Sequence, residues 1–107
     1  MIYKFKSKAA GDVIMTAPVG DRLLRLMSRE PAPKGIFQAA DLPGLIATLE
    51  RAIQAEEVAV QEAIELAKSE GRPAPRSQEV SLRQRAWPLI EMMKRAHAED
   101  HDIVWGV

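Results

Sequence analysis

Cysteine is absent from the 107 residues, which removes disulfides, thiolate zinc sites, Cys-ligated iron–sulfur clusters and thiol catalysis together. Aromatic residues make up only 5%, so Leu, Ile, Val, Ala and Met must fill most of the interior. Formal net charge is zero, and with it goes the field that would steer the whole molecule to nucleic acid or an anionic membrane. No stretch approaches the roughly 20 apolar residues that span a bilayer. The opening "MIYKFKSKAAG" has positive charges with no apolar run behind them, so it does not read as a secretory signal. A cytoplasmic protein with no membrane partner is expected. Histidine occurs twice, and the serines at 7, 28, 69, 77 and 81 have no triad-like surroundings. The reading is of a protein that is not an enzyme and carries no cofactor.

What is present fits one globular domain over residues 1–107, since a second core would leave each half too small to bury enough surface. "MIYKFKS" alternates, placing Tyr3 and Phe5 on one side and Ile2, Lys4 and Lys6 on the other, the period of a strand with one buried face. "VIMT" reads as a second strand, and the two suggest an antiparallel hairpin over about residues 2–17. The aromatic and basic residues of "YKFKSK" could suggest a nucleic-acid-binding sheet, but alternation sends rings and lysines to opposite faces. Nucleic-acid binding through Lys4, Lys6 and Lys8 is therefore not expected.

"GDVIMTAPVGD" resembles the approach to a phosphate loop, yet only Gly20 lies between Pro18 and Asp21, and the Asp would repel a phosphate. The simpler reading is that Pro18 opens a helix and Asp21 complements its dipole. That helix runs through "DRLLRLMSR" with Leu23, Leu26 and Met27 on one face, and "EPAPKG" at 30–35 leaves little room for a regular element. A long periodic region follows over 42–70, with Asp41 as N-cap and Gly71 as stop, and with Leu42, Leu45, Ile46, Leu49, Ile53, Val60, Ile64 and Ala67 at 3–4 spacing. Its seam is interrupted at Glu56 and Glu57, where a bend or division is expected. "RPAPRSQE" at 72–79 reads as a polar linker. "SLRQ" at 81–84 matches a capping box that opens a third helix, and Pro88 inside that helix predicts a kink. "DIVWGV" reads as a strand that joins the hairpin. The expected order is β-β-α-α-α-β, an α+β domain with helices on one face of a small antiparallel sheet.

Charge is uneven along the chain. Residues 1–35 hold seven Lys/Arg against three Asp/Glu, and residues 36–70 hold two against seven, which suggests internal or self-complementary pairing. A single helix over 42–70 would be about 43 Å long, more than the roughly 34 Å diameter of a compact domain of this size. Either it breaks near Glu56, or its distal half, with Val58, Val60, Ile64 and Leu66, is covered by the third helix or by a second copy, a symmetric dimer being the commonest form of such association.

Two groups of residues are candidates for function. Trp87 and Trp105 are large side chains that mark an interface if exposed, and with Val60 and Ile64 they form the candidate interaction set for an unidentified protein partner. "HAEDHD" is the only cluster with metal-ligand chemistry: His97 and His101 would share a face of a continuing helix, with Asp100 nearby. Two histidines alone do not complete a site, and His is also expected at a helix carboxyl end. A metal-binding or small-ligand protein using His97, His101 and Asp100 is the alternative to an interaction or regulatory module.

The strings "MIYKFKSKAAGDVIMTAPVGDRLLRLM", "EPAPKGI", "VSLRQRAWPLIEMMKRA" and "DIVWGV" resemble a small bacterial family classified only as a domain of unknown function. The resemblance covers essentially the whole chain and implies a cytoplasmic bacterial protein. It supplies no ligand or catalytic residue.

Overall fold

The computed structural model describes residues 2–73 and 81–106. Strand β1 (Ile2–Ser7) turns at Lys8 and Ala9 into β2 (Ala10–Thr16), and β2 runs directly into helix α1 (Ala17–Leu26). The amide of Ala9 donates to Ser7 Oγ at 3.2 Å across the turn. Tyr3 and Phe5 face the helices while Lys4 faces outward against Ile14, as the alternation predicts.

A short strand that the sequence reading missed, β3 (Gly35–Phe37), follows the proline-rich bridge. It pairs with the carboxyl-terminal strand β4 (Ile103–Trp105), and β4 in turn pairs with β1, giving a four-stranded antiparallel sheet in the order β2-β1-β4-β3. Three residues are too few to show an alternating pattern, and "PAPKG" reads locally as a breaker. Gly35 is required because the Trp105 ring lies across it: a Cβ there would stand 2.0 Å from Trp105 Cζ2.

Helix α2 (Leu42–Ser69) and helix α3 (Leu82–Ala98) complete an α+β fold with the order β-β-α-β-α-α-β. The helices lie on one face of the sheet. Phe5, Phe37, Leu23, Leu49, Met93 and Ile103 sit at the centre of one cluster of buried apolar side chains. Four of the five aromatic residues meet there, with Phe37 and Trp105 centroids 4.8 Å apart and Phe5 and Trp105 centroids 5.5 Å apart.

The helix boundaries agree with the sequence in some places and correct it in others. Ser81 Oγ accepts from the Gln84 amide at 3.2 Å, and the Ser81 amide donates to Gln84 Oε1 at 3.3 Å, so the capping box forms. Asp41 stands at the N-cap position of α2, as expected, but its side chain accepts no capping hydrogen bond. A 3-10 turn over Ala39–Asp41 leads into the helix, and Asp41 instead faces Arg29 at 3.6 Å. All three helices close with the same type of loop, in which the amides of Arg29, Arg72 and His101 each return to a carbonyl five residues back at 2.8 Å. The residue before each of these amides, Ser28, Gly71 and Asp100, has positive φ. Helix α3 continues through Pro88, which lies on its exposed side. The polar linker expected at 72–79 falls, from residue 74 on, outside the described residues.

Candidate interaction surface

Leu42, Leu45, Leu49 and Ile53 bury the first half of α2 against the sheet and its neighbouring helices. The next positions on that stripe are Glu56 and Glu57, and here the expectation of a break is corrected: α2 is one helix of 28 residues. Neighbouring residues on a helix diverge by about 100°, so the two carboxylates reach opposite flanks. Glu56 Oε2 accepts from Arg22 Nη2 of α1 at 2.7 Å. Glu57 takes Arg83 of α3 in a two-point fork, from Nε at 3.1 Å and Nη2 at 2.7 Å. The Arg83 hydrogen bonds hold the Glu57 carboxyl below its ordinary value. The residues that interrupt the apolar seam are those by which two helices grip the third.

Lys94 also reaches Glu50, at 3.4 Å, so α3 runs antiparallel to α2 with its first turn beside Glu57. Residues 58–69 continue for about 18 Å past that grip, and of their side chains Ala67 is buried. Val60 and Ile64 prolong the stripe of Leu49 and Ile53, with Val60 50% exposed and Ile64 half-buried. Val58 and Leu66 lie on the far side and are also exposed.

The two tryptophans have separate fates. Trp105 is buried, and its indole N–H donates to the Ala32 carbonyl at 3.0 Å, tying β4 to the proline-rich bridge. It belongs to the core rather than to a recognition surface. Trp87 is 51% exposed. It follows Arg83 by one turn and precedes Lys94 by two, on the strip of α3 that grips α2.

The predicted cluster of His97, His101 and Asp100 is separated by the end of α3. The helix stops at Ala98, Asp100 adopts positive φ, and His101 lies beyond that turn, so the two imidazoles do not share a helical face. Among the described residues no group of three or more His, Asp or Glu is placed to hold a metal ion. Asp102 has a structural task, accepting from the Ala39 amide at 2.8 Å and so joining the entry of α2 to β4. His101 and Asp100 line a shallow hollow with Lys6, Ser7 and Lys8.

Sequence reasoning missed the pairing of Tyr3 with Asp21. The Tyr3 hydroxyl donates to Asp21 Oδ1. Gly20, one residue earlier, is buried beneath the Tyr3 ring, where a Cβ would meet Cδ2 at 2.1 Å. The glycine and aspartate of "PVGD" thus receive the ring and hydroxyl of one tyrosine. Asp21 lies within α1 and is not at its N-cap position, which Thr16 occupies. The Tyr3 hydroxyl is pushed up to about 12, first by burial and then by its bond to Asp21. The pair borders a cleft of about 330 Å³ shared with Ala32 and Trp105.

Residues 1–105 match the model of a family described as a domain of unknown function, DUF1840. The chain belongs to the DUF1840 family. No curated protein matches it, and no solved structure does. For this DUF1840 chain, no described helix is long and apolar enough to cross a membrane.

Proposed function

We propose that this DUF1840 chain is a non-enzymatic interaction module that associates with itself and presents the projecting half of α2, together with Trp87, to a protein partner. The observation that carries the reading is the exposure of Val58, Val60 and Leu66 on a helix segment extending about 18 Å beyond the residues that grip it. Exposed apolar side chains scattered singly are ordinary, but this element offers them on two faces, Val60 on one and Val58 with Leu66 on the other, and an exposed Trp stands beside its base. The most perturbed titratable group, Tyr3, is engaged in holding β1 to α1.

The test is site-specific photo-crosslinking in cells, with a benzophenone side chain placed at Val58 or Leu66 and, as control, at the exposed Lys34. Discrete adducts from positions 58 and 66 that position 34 does not give support the reading. Patterns identical to the control at both positions overturn it.

A further inference from the structure

The cleft beside Tyr3 exists because β4 leaves the β1 edge early. β4 pairs with Phe5 and Lys6 of β1 and, on its other side, with β3, and neither pairing continues past Trp105. Gly106 has a φ of 77° and leans on the proline-rich bridge, where a Cβ would stand 2.0 Å from the Pro33 carbonyl oxygen. Ile2, Tyr3 and Lys4 thus have no neighbouring strand on the β4 side among the described residues. The space so opened is the cleft of about 330 Å³, with the bridge, which leads into β3, as the wall across from β1. Tyr3 and Trp105 border it and are buried, so their rings are held in place.

The polar groups at the inner end of the cleft accept hydrogen bonds. Asp21 is half-buried there, the Tyr3 hydroxyl donates to its Oδ1, and no second donor reaches the carboxylate among the described residues. An ionised carboxylate has about four acceptor sites, so Asp21 keeps capacity to spare, and the Tyr3 oxygen can accept as well as donate. The bridge adds little to balance this, since Pro31 and Pro33 have no amide hydrogen to give. Lys4 and Lys6 stand at the rim, on the open face of the sheet, and Lys4 is directed to Asp12 at 3.5 Å. A cleft of this size with mainly apolar walls and a few convergent polar groups is the usual form of a small-molecule site.

We propose that this cleft binds a small organic ammonium ion. Its ammonium donates to the Asp21 carboxylate and the Tyr3 hydroxyl oxygen, and its apolar stem lies against Trp105 and the two prolines. The inference goes beyond the interaction reading and does not depend on it. Charge sets the class. A half-buried carboxylate with unfilled acceptor sites is matched by a cation that brings several donors, and hydrogen bonds to a charged group are the stronger kind. A bare metal ion is not matched, because no group of three ligands stands here among the described residues. The two lysines at the rim repel a second positive charge, so one ammonium is favoured over two. The aspartate that argues against a phosphate at "PVGD" is the group that selects a cation.

The test is a heteronuclear NMR titration of the unmodified chain with pentylammonium, pentanol and cadaverine, which share a five-carbon stem and differ in charge. The Trp105 indole N–H and the amides of Ile2, Tyr3 and Lys4 report the cleft. These signals are expected to shift together and to saturate with pentylammonium, with pentanol weaker by about tenfold or more and cadaverine also weaker than pentylammonium. Asp21→Asn is expected to lower the affinity for pentylammonium by about tenfold and to abolish the preference for amine over alcohol. No saturable shift in the cleft at millimolar pentylammonium overturns the proposal. So does equal binding of amine and alcohol, or shifts spread over exposed carboxylates with none at Trp105. Unchanged affinity in a folded Asp21→Asn also overturns it. The comparison of amine with alcohol is made on the unmodified chain, so it decides the matter even where Asp21→Asn fails to fold.

Discussion

Glycine inside a helix is less favourable than alanine by about 1 kcal/mol, yet Gly20 occupies a buried position in α1 because the Tyr3 ring lies where a methyl group would go. Gly44 in α2 has open space around it. The same substitution should therefore act with opposite signs. Gly20→Ala is expected to destabilise by about 1–3 kcal/mol through overpacking, and Gly44→Ala to stabilise by about 0.5–1 kcal/mol, both read from urea denaturation. Tyr3 is the only tyrosine, so phenolate absorbance reports it alone. Its folded value, about 12, lies above the ordinary 10.0. Both states keep the proton below pH 10. Between about 10 and 12 the unfolded chain binds fewer protons than the folded one, so stability falls with rising pH. Asp21→Asn should lower the titration midpoint while leaving it above the ordinary value, because burial remains. The tryptophans separate in fluorescence: Trp87→Phe removes the emission that acrylamide quenches, and Trp105→Phe removes the shielded part.

At the level of the element, much was legible in the sequence where the signal is local. The alternation of Tyr3 and Phe5, Ser81 with Gln84, and Gly71 after a long periodic run are each read within a few residues, and each has the structure it suggests. The rest depended on distant partners. β3 exists because β4 lies beside it, and Glu56 and Glu57 read as a seam defect until Arg22 and Arg83 are placed on either flank. Asp21 and Tyr3 are eighteen residues apart, and nothing local to either residue announces the other. Pro88 lies within α3 on its exposed side, where it lacks the amide that would continue the intrahelical ladder, and the helix runs on to Ala98. Pro88→Ala is expected to raise stability by about 1–3 kcal/mol, seen as a higher urea midpoint. If Trp87 needs a bend there, that variant will also change its quenching. The Glu57–Arg83 fork is exposed, so its contribution should shrink in high salt. Because the Glu57 carboxyl is held low, that contribution is present at neutral pH and is lost as pH falls through the lowered value.

For the whole molecule, the principal extents of 51 × 28 × 22 Å follow from α2. The radius of gyration is 15.9 Å, above the roughly 13 Å of a compact chain of this length. The two halves of α2 should respond differently to mutation. Leu49→Ala or Ile53→Ala opens a cavity in the core and should cost about 2–5 kcal/mol, whereas Val58→Asp or Leu66→Asp should change stability by less than about 0.5 kcal/mol while weakening capture of a protein partner. Thermal melts paired with crosslinking in cells distinguish the two classes.

The place of β4 in the sheet also bears on how the protein is made. β4 lies between β1 and β3, yet about a hundred residues of chain separate Phe5 from its neighbour Trp105. On the ribosome the hairpin, α1 and α2 emerge first with their central strand still unsynthesised, and Phe5 and Phe37 have no cover from Ile103 or Trp105. Long-range closure of this kind slows folding, because the loop entropy is lost before the contact forms. A nascent chain stalled before Ile103 is thus a fragment with two open strand edges, the form most exposed to chaperones and to aggregation.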